Sequence, residues 1–377
     1  MIAGVPTVHI ADMTMLYAPA SGGVRTYLDA KHSRLAHYPD VRHSLLIPGA
    51  CSSHNDGIYK VAAPTLPFSN GYRFPLRVSP WRNALQSLQP DLIEVGDAYL
   101  TAWAAIEARR QLAVPIIGFY HSDLPLLVSN RMGHWMGTSV ETYISKLYGN
   151  FDRVLAPSQV MADKLIAMGV ENVYTQPLGV DLLTFDPRHR NPNIRIELGL
   201  QQHTHLLIFA GRGSKEKKLP VLLECMKKLG PDYHLLLVGS HMPSQVPDNV
   251  SVIGHFCKTA LLAQLLASAD ALLHAGDQET FGLVILEAMA SGIPVVAVAA
   301  GAFTEIVQPE CGLLCQANNP QAMANSVREL FRGDSKQKGR AARRYVEEHY
   351  SWDKVISGLL EHYQAVLGCR LPALAHG

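Results

Sequence analysis

Residues 271–305 read ALLHAGDQETFGLVILEAMASGIPVVAVAAGAFTE, and this stretch decides the fold class of the chain. Residues 271–274 are a short apolar run with the length of a buried strand. A polar turn follows, Thr280 is a suitable N-cap, and residues 281–290 carry a helical pattern. Residues 294–297 then start a second apolar strand. The pattern predicts a strand–turn–helix–strand unit of a parallel sheet, in which ligands bind at the carboxyl ends of the strands.

Two carboxylates, Glu279 and Glu287, flank the first turns of the predicted helix. The backbone N–H groups of Phe281, Gly282 and Leu283 lie between them, and such groups at a helix start bind an anion such as phosphate. Carboxylates accept hydrogen bonds from hydroxyl groups and disfavour phosphate, so each acid should face a sugar ring. The order sugar, diphosphate, ribose describes a nucleotide sugar. The competing interpretation is an ordinary acidic helix start with a solvated Glu287.

This stretch resembles the donor site of the family-4 retaining glycosyltransferases in its two acids, its Phe-Gly pair, its Pro-Val-Val strand and its tail from Gly301 to Glu305. The resemblance extends, in order, over nearly the whole chain. It implies an α/β protein of the GT-B fold, in which two Rossmann-like βα domains face each other across a central cleft. It also implies that Glu279 binds the donor sugar without acting as a covalent nucleophile, and that Glu287 binds the ribose.

The composition is that of a folded protein of about two domains, since 48% of the 377 residues are hydrophobic and 17% are charged. The 33 basic and 32 acidic residues nearly balance, which gives no indication of a nucleic-acid partner. The six cysteines include no C-x-x-C pair, so we expect buried reduced thiols and neither a zinc site nor a disulfide framework. We find neither a signal peptide nor a membrane span and expect a cytoplasmic protein, with peripheral contact to the inner face of the membrane left open.

A glycine pair, Gly22 and Gly23, lies between a strand predicted at residues 6–11 and a helix predicted at residues 26–35. Two glycines at a strand-to-helix turn allow the backbone to approach a ligand closely, and they offer N–H groups to a phosphate. The pair alone would also suit a plain turn. The family resemblance adds a role, because it places these glycines against the diphosphate of the donor.

Residues 116–121 form an apolar run that leads into Tyr120-His121-Ser122-Asp123. Polar residues at the carboxyl end of a strand are typical of a site rather than of a core. A lone histidine is more often structural, but the resemblance matches His121 to a histidine that lies at the donor sugar. We therefore expect His121 to orient the sugar or the acceptor.

A basic loop, GRGSKEKK at residues 211–218, follows an apolar run at residues 206–210. The third glycine of the dinucleotide fingerprint G-x-G-x-x-G is missing and lysines are present, which favours charged contacts to phosphate over an NAD site. By resemblance, Arg212 and Lys217 hold the donor diphosphate, and Lys218 is the alternative if the register shifts by one. A solvated basic loop is the competing interpretation.

The sequence predicts three parts in chain order. Residues 1–185 would form an N-terminal, acceptor-side Rossmann-like domain, and residues 186–349 a C-terminal domain that binds the nucleotide sugar. Residues 350–377 complete the chain, and the apolar residues of 351–367 fall on one face of a helix. The resemblance implies that this helix packs back on the N-terminal domain.

Two segments, residues 72–82 and 131–146, combine basic and aromatic residues. Such segments can contact a membrane surface or a lipid-linked acceptor. Solvated basic side chains explain the same composition, so both interpretations stay open.

Residues 120–123 and 153–158 look most like those of mannosyltransferases in this family that use GDP-mannose. The resemblance therefore implies a hexosyltransferase of cell-envelope glycan biosynthesis that moves a sugar, with mannose favoured, from a nucleoside diphosphate to a glycan or lipid acceptor. The resemblance implies retention of the anomeric configuration. The chain has no Asp-x-Asp motif, its nearest match being Asp277-x-Glu279, so we expect neither a cofactor nor a metal ion on the diphosphate. GDP-mannose is the expected donor and a UDP-hexose the alternative. An NAD-dependent oxidoreductase and a partner that only binds are the alternatives of other classes.

Overall fold

The computed structural model describes residues 7–18, 22–65, 71–255 and 257–368. The chain divides into two compact units. The first unit comprises Met1–Pro177 and Val355–Gly377, and the second unit comprises Leu178–Lys354. Within the described residues, no helix combines the length and the apolarity that crossing a membrane requires.

Within the described residues the first unit contains one sheet of eight strands, which are β1 Val8–Met13, β2 Val41–Gly49, β3 Ser53–Asn55, β4 Ile58–Ala62, β5 Leu92–Val95, β6 Ile116–Phe119, β7 Arg153–Ala156 and β8 Val173–Thr175. The strands lie in the order β3-β4-β2-β1-β5-β6-β7-β8. All neighbouring pairs are parallel except β3 with β4. Helices cover the faces of such sheets, so the central strands must be apolar throughout. Ile10, Leu92 and Ile116 are accordingly fully buried.

The helices of the first unit's long segment alternate with these strands and are α1 Gly23–Leu35, α2 Ser79–Leu88, α3 Leu100–Leu112, α4 Leu124–Met132, α5 His134–Tyr148 and α6 Gln159–Ala167. Helix α1 begins at Gly23, three residues before the predicted start at residue 26. Gly22 is its N-cap, and its first turn closes when the Thr26 N–H donates to the Gly22 carbonyl at 3.3 Å. The predicted strand at residues 6–11 lies partly outside the described residues, and β1 occupies Val8–Met13.

The second unit contains a sheet of six parallel strands in its described part, namely β9 His205–Ala210, β10 Tyr233–Val238, β11 Val250–Ile253, β12 Ala271–His274, β13 Val295–Val298 and β14 Gly312–Cys315. They lie in the order β11-β10-β9-β12-β13-β14. The helices are α7 Asn193–Glu197, α8 Leu219–Leu229, α9 Thr259–Ser268, α10 Leu283–Ala290, α11 Phe303–Ile306, α12 Pro320–Arg332 and α13 Ser335–His349. This βα alternation confirms the strand–turn–helix–strand unit predicted at residues 271–297.

The last helix, α14 Trp352–Leu367, belongs to the first unit from Val355 onward. Its apolar stripe is buried, as the helical spacing predicted, because Ile356, Leu359 and Tyr363 are all at most 1% exposed. The Tyr363 hydroxyl donates to the Glu94 carboxylate of β5. The first unit is therefore completed by residues from the far end of the chain.

The cysteines form no disulfide among the described residues. Cys51 is an exposed thiol, and the thiols of Cys225, Cys257, Cys311 and Cys315 are buried. Cys369 lies outside the described residues.

Candidate active site

The topology of the second unit brings two loops together. Its strand order reverses between β9 and β12, which pair through Leu207 with Ala271 and through Ile208 with Leu272. Because both strands are parallel, the loops that follow them start side by side at the carboxyl edge of the sheet. Such a reversal point is where open α/β sheets bind their ligands.

Three side chains from these loops meet at this edge. The Lys217 ammonium donates to Oε1 of Glu279, and Nε2 of His274 lies 3.6 Å from the same oxygen. Lys217 ends a short 3₁₀ turn that begins at Lys215, and its backbone N–H donates to the Ser214 carbonyl at 3.0 Å. The two loops are 62 residues apart in sequence, so only the sheet brings the pair together.

His274 is the member of this cluster that sequence reasoning missed. It is the last residue of β12 and is fully buried. The available signal was its position, because a polar residue that ends an apolar strand at the carboxyl edge of a parallel sheet faces the site.

The charges in this cluster are defined by burial and by Lys217. Burial alone would raise the pKa of Glu279, but the neighbouring Lys217 ammonium and His274 outweigh it and hold that pKa below its usual value. Burial lowers the pKa of His274 to about 4. Near neutral pH the cluster therefore contains an ionised carboxylate, held by one ammonium and faced by a neutral imidazole.

Helix α10 begins at Leu283 with Gly282 as its N-cap, so the predicted Thr280 cap and a start at Phe281 were wrong. Gly282 has a φ of +91°, and a Cβ there would lie 2.6 Å from Cε1 of Phe303. A left-handed residue cannot belong to a right-handed helix, so the helix starts after it. The N–H groups of Phe281, Gly282 and Leu283 have no hydrogen-bond partner among the described residues. They remain available to an anion.

Backbone contacts hold the turn that carries Glu279. The Ala302 N–H donates to the Glu279 carbonyl at 3.2 Å. Gly301, with a φ of +55°, comes so close that a Cβ would lie 2.6 Å from the same carbonyl oxygen. A glycine at this position therefore lets the loop before α11 support the carboxylate from behind.

Glu287 is the fifth residue of α10, about one turn in, and differs from Glu279 in its surroundings. It is half-buried, and its carboxyl group has no hydrogen-bond or ion-pair partner within the described part of the chain. Burial raises its pKa to about 7. A carboxyl group that is partly buried and unpaired is costly for folding, which is typical of a group kept for a ligand.

Arg212 lies two residues beyond the end of β9 and is partly exposed. The backbone on either side of it is fixed by the neighbouring loop, because the Gly211 N–H donates to the Val238 carbonyl at 2.9 Å and the Gly213 N–H donates to the Ser240 carbonyl at 2.8 Å. The guanidinium is thus carried on a rigid turn at the edge that also bears Lys217.

Lys218 has a different environment from Lys217. Its ammonium lies 3.5 Å from Oδ2 of Asp277, which also accepts from the Asn318 amide at 3.2 Å. The structure therefore brings Lys217, and not the alternative Lys218, to Glu279.

In the first unit, His121 follows β6 and lies at a pocket lined by residues that include Leu16, Gly96, Tyr99, Ser122 and Leu124. The imidazole is 9% exposed and stacks on Phe119 with ring centroids 4.2 Å apart. Burial lowers the pKa of His121 to about 3, so the ring is neutral near neutral pH. A neutral histidine beside a small pocket can donate to, or accept from, a hydroxyl group.

Gly22 and Gly23 lie at the N-terminus of α1. Both are exposed, and a Cβ at Gly22 would meet no atom within 4 Å. The chain conformation there does not itself require glycine at residue 22, since its φ is −81°.

A buried ionic cluster beside the pocket was not predicted from the sequence. Lys31 of α1 donates to Oδ2 of Asp12 at 2.7 Å and to Oε1 of Glu94 at 2.6 Å, and its side chain is fully buried. Burial opposes the charge on Lys31, but the two carboxylates outweigh it and raise its pKa. With Tyr363 on the other oxygen of Glu94, this cluster ties α1 and α14 to β1 and β5.

Among the described residues, no three histidine, cysteine or acidic side chains are grouped so that they could hold a metal ion.

Comparison with known protein families matches both halves of the chain. The family described as "Glycosyltransferase Family 4" matches residues 21–182, and the family described as "Glycosyl transferases group 1" matches residues 190–349. These ranges contain all the candidate site residues.

Two relatives come from Mycobacterium tuberculosis. The "GDP-mannose-dependent alpha-mannosyltransferase" of strain CDC 1551 / Oshkosh is 31% identical over 329 residues, which cover 84% of each chain. The "GDP-mannose-dependent alpha-(1-6)-phosphatidylinositol dimannoside mannosyltransferase" of strain ATCC 25177 / H37Ra is 29% identical over 372 residues, which cover 93% of this chain and 95% of that protein.

Among solved structures, the sucrose-phosphate synthase from Thermosynechococcus elongatus superposes with a TM-score of 0.80. It is 21% identical, and the match covers 96% of this chain and 99% of that one. The predicted family and fold are confirmed by these matches. The chain belongs to the family-4 glycosyltransferases of GT-B fold, and it is a hexosyltransferase that uses a nucleotide sugar.

Proposed function

We propose that this enzyme transfers mannose from GDP-mannose to a glycan or lipid acceptor, with retention of the anomeric configuration and without a metal ion. The observation that carries the proposal is the cluster at the carboxyl edge of the second unit's sheet. There an ionised Glu279 held by Lys217 lies at the start of α10, whose N–H groups are available to an anion. The choice of donor is supported by two relatives whose names specify GDP-mannose.

The donor diphosphate is proposed to bind Arg212, Lys217 and the N–H groups of Phe281, Gly282 and Leu283. Gly22 and Gly23 are proposed as further backbone contacts. Hydrogen bonds between charged groups are worth roughly 1.5–3 kcal/mol each. Two cations and a helix start would therefore supply the charge compensation that a divalent metal provides elsewhere.

The two acids are proposed to bind the two sugar rings. Glu279 would accept hydrogen bonds from mannose hydroxyls and face the positive charge that develops on the ring. Glu287 would accept from the ribose hydroxyls, which would give its unpaired carboxyl group its missing partners. Residues 186–349 would then be the donor-binding domain.

The proposed reaction breaks the bond between the anomeric carbon and the diphosphate oxygen. The leaving oxygen gains the electron pair, and Arg212, Lys217 and the start of α10 stabilise that charge as it develops. The acceptor hydroxyl attacks from the same face and passes its proton to the departing phosphate. Glu279 forms no covalent bond in this scheme, because the acceptor hydroxyl attacks the anomeric carbon directly and the task of Glu279 is to bind sugar hydroxyls.

The acceptor is proposed to bind the first unit, in the part predicted as residues 1–185, at the pocket beside His121. His121 would orient the sugar or the acceptor hydroxyl. Peripheral contact with the inner face of a membrane is part of the proposal, because Met132 and Trp135 are 59% and 70% exposed at the turn between α4 and α5. Flotation with anionic liposomes tests this point, and Trp135→Ser should reduce binding.

A thermal-shift panel of GDP, UDP, ADP and their mannose and glucose conjugates tests the donor. We expect GDP and GDP-mannose to raise the melting temperature, since a ligand at a hundred times its Kd stabilises by about 2.7 kcal/mol. Transfer from labelled GDP-mannose to a phosphatidylinositol mannoside, with and without EDTA, then tests the reaction. Stabilisation by UDP-hexoses alone would replace the donor, and stabilisation by NAD alone would contradict the proposal.

A further inference from the structure

His274 is a buried polar residue that the proposed reaction has not yet used. Its ring lies between two aromatic side chains, with centroids 5.4 Å from Phe209 and 4.8 Å from Phe303. Gly276 crosses its edge so closely that a Cβ there would lie 2.7 Å from Cε1 of the imidazole. The ring therefore has one orientation and little freedom to leave it.

The hydrogen bonds fix which nitrogen of His274 carries the proton. The Gly276 N–H donates to Nδ1 at 3.1 Å, so Nδ1 is an acceptor. A neutral imidazole with an accepting Nδ1 has its proton on Nε2. That Nε2–H lies 3.6 Å from Oε1 of Glu279, which is longer than a hydrogen bond.

The Nε2 atom has no other partner within the described part of the chain. It is buried and makes no hydrogen bond there, and Glu279 is the acceptor nearest to it in the described contacts. A buried donor without a partner costs about 1–3 kcal/mol, so a small movement of the carboxylate toward the ring would be favourable. Hydrogen bonds at active sites are often long before the reactants bind and shorten afterwards.

Lys217 occupies the same Oε1 atom. In the proposed function Lys217 contacts the donor diphosphate, so its hold on Glu279 weakens when the donor binds. We propose that His274 is the positioning residue of Glu279, which takes over Oε1 when Lys217 turns to the diphosphate and keeps the carboxylate aimed at the donor sugar. This inference rests on the proposed role of Glu279.

A neutral donor suits this task better than a second cation. The imidazole orients the carboxylate without neutralising it, so the negative charge of Glu279 remains available to the sugar ring. The low pKa of His274, about 4, keeps the imidazole neutral at the pH at which a hexosyltransferase is assayed.

Two substitutions separate positioning from a structural role. In His274→Asn the side-chain oxygen can take the place of Nδ1 and accept from the Gly276 N–H, but the variant has no donor in the place of Nε2–H to contact Glu279. In His274→Gln the amide nitrogen can stand where Nε2 stands and donate to Glu279, but the Gly276 N–H loses its acceptor. The control is His234→Asn, the same change at a buried histidine of β10 whose Nε2 contacts Ser251 at 2.9 Å.

The experiment measures kcat and KM for the donor, the Kd of the nucleoside diphosphate by calorimetry, and the melting temperature. We expect His274→Asn to lower kcat about 30-fold with an unchanged Kd for GDP, and His274→Gln to recover at least a third of the wild-type kcat. His234→Asn should lower the melting temperature and leave kcat within twofold.

The positioning role would be overturned if His274→Asn kept kcat within twofold, or if both variants lost kcat and GDP affinity together. The donor proposal is tested independently of these variants, because it depends on which donor the wild-type enzyme uses. If wild type turns over a UDP-hexose instead of GDP-mannose, the variants are compared with that donor and with UDP. If the Glu279→Gln variant keeps the kcat of the wild-type enzyme, both proposals are wrong.

Discussion

Replacing Glu287 by glutamine should increase the free energy of unfolding of the enzyme and lower its affinity for the donor. The carboxyl group is half-buried with no partner among the described residues, and burial raises its pKa to about 7. Glutamine keeps the shape and removes the ionisation. The stability gain and the affinity loss have the same origin, which is a carboxylate that has no partner in the described part of the protein.

The sign and size of the stability change follow from the two pKa values. In the unfolded chain Glu287 ionises near pH 4.5, whereas in the folded chain it ionises near pH 7. Between these values the unfolded state releases a proton that the folded state retains, so the folded state loses relative stability as pH rises. The shift of about 2.5 units corresponds to roughly 3 kcal/mol, reached fully above pH 7 and absent below pH 4.5. Glutamine is still a buried polar group, so we expect a gain of about 1–2 kcal/mol at pH 8.

Melting temperatures at pH 5 and pH 8 measure this difference. A gain of 1–2 kcal/mol raises the melting temperature by roughly 2–8 °C for a unit of this size, and the gain should nearly vanish at pH 5. The control is Glu329→Gln, an exposed acid on α12, for which neither pH should show a change.

Calorimetric titration with GDP-mannose measures the affinity loss. Its diphosphate has no group that titrates near neutrality, so the pH dependence reports on the protein. Wild-type affinity should fall several-fold from pH 8 to pH 6 as Glu287 takes up its proton. In Glu287→Gln the affinity should be about 10- to 100-fold lower and nearly independent of pH, from the loss of roughly 1.5–3 kcal/mol. A variant that binds donor like wild type, or that is less stable at pH 8, would refute the reasoning.

Four further substitutions test other parts of the protein. Lys217→Met and Arg212→Ala should each lower kcat/KM for the donor by roughly ten- to a thousandfold, or about 1.4–4 kcal/mol, and unchanged rates in both would remove the diphosphate assignment. Gly282→Ala should weaken GDP binding and lower the melting temperature, because the new Cβ would clash with Phe303. The left-handed backbone adds about 1–2 kcal/mol of strain for alanine. A variant with the GDP affinity and the melting temperature of the wild type would contradict this prediction. Lys31→Met should destabilise by about 3–5 kcal/mol in thermal or urea unfolding, because two buried carboxylates would lose their cation, and a loss under 1 kcal/mol would show that the cluster is dispensable.

The sequence was most informative where chemistry depends on neighbours along the chain. The apolar runs predicted both sheets, since a buried parallel strand must be apolar on both faces. The residues around the start of α10 predicted an anion site with an acid on either side of it. The helix start was wrong by two residues, because the aromatic ring of Phe303, the first residue of α11, excludes a side chain at the left-handed Gly282.

What the sequence could not indicate depends on distant partners. The contact of Lys217 with Glu279 joins positions 62 apart, and that of Lys31 with Glu94 joins positions 63 apart. Neither the residue types nor their local spacing predicts that these residues form ion pairs. His274 reads as the end of an apolar strand, and the role proposed for it depends on its Nδ1 partner and on the position of Glu279, neither of which the sequence indicates.

The hydrogen bond from Tyr363 to Glu94 has a consequence for how the protein is made. The first unit takes β5 from its long N-terminal segment and α14 from residues that follow the second unit, so the buried Glu94 carboxylate gains its Tyr363 donor only after the second unit has been synthesised. The second unit is continuous in sequence and can fold as soon as it leaves the ribosome. A nascent chain in which the second unit has left the ribosome and Tyr363 has not should therefore resist protease in the second unit before the first, which reverses the usual order from N- to C-terminus.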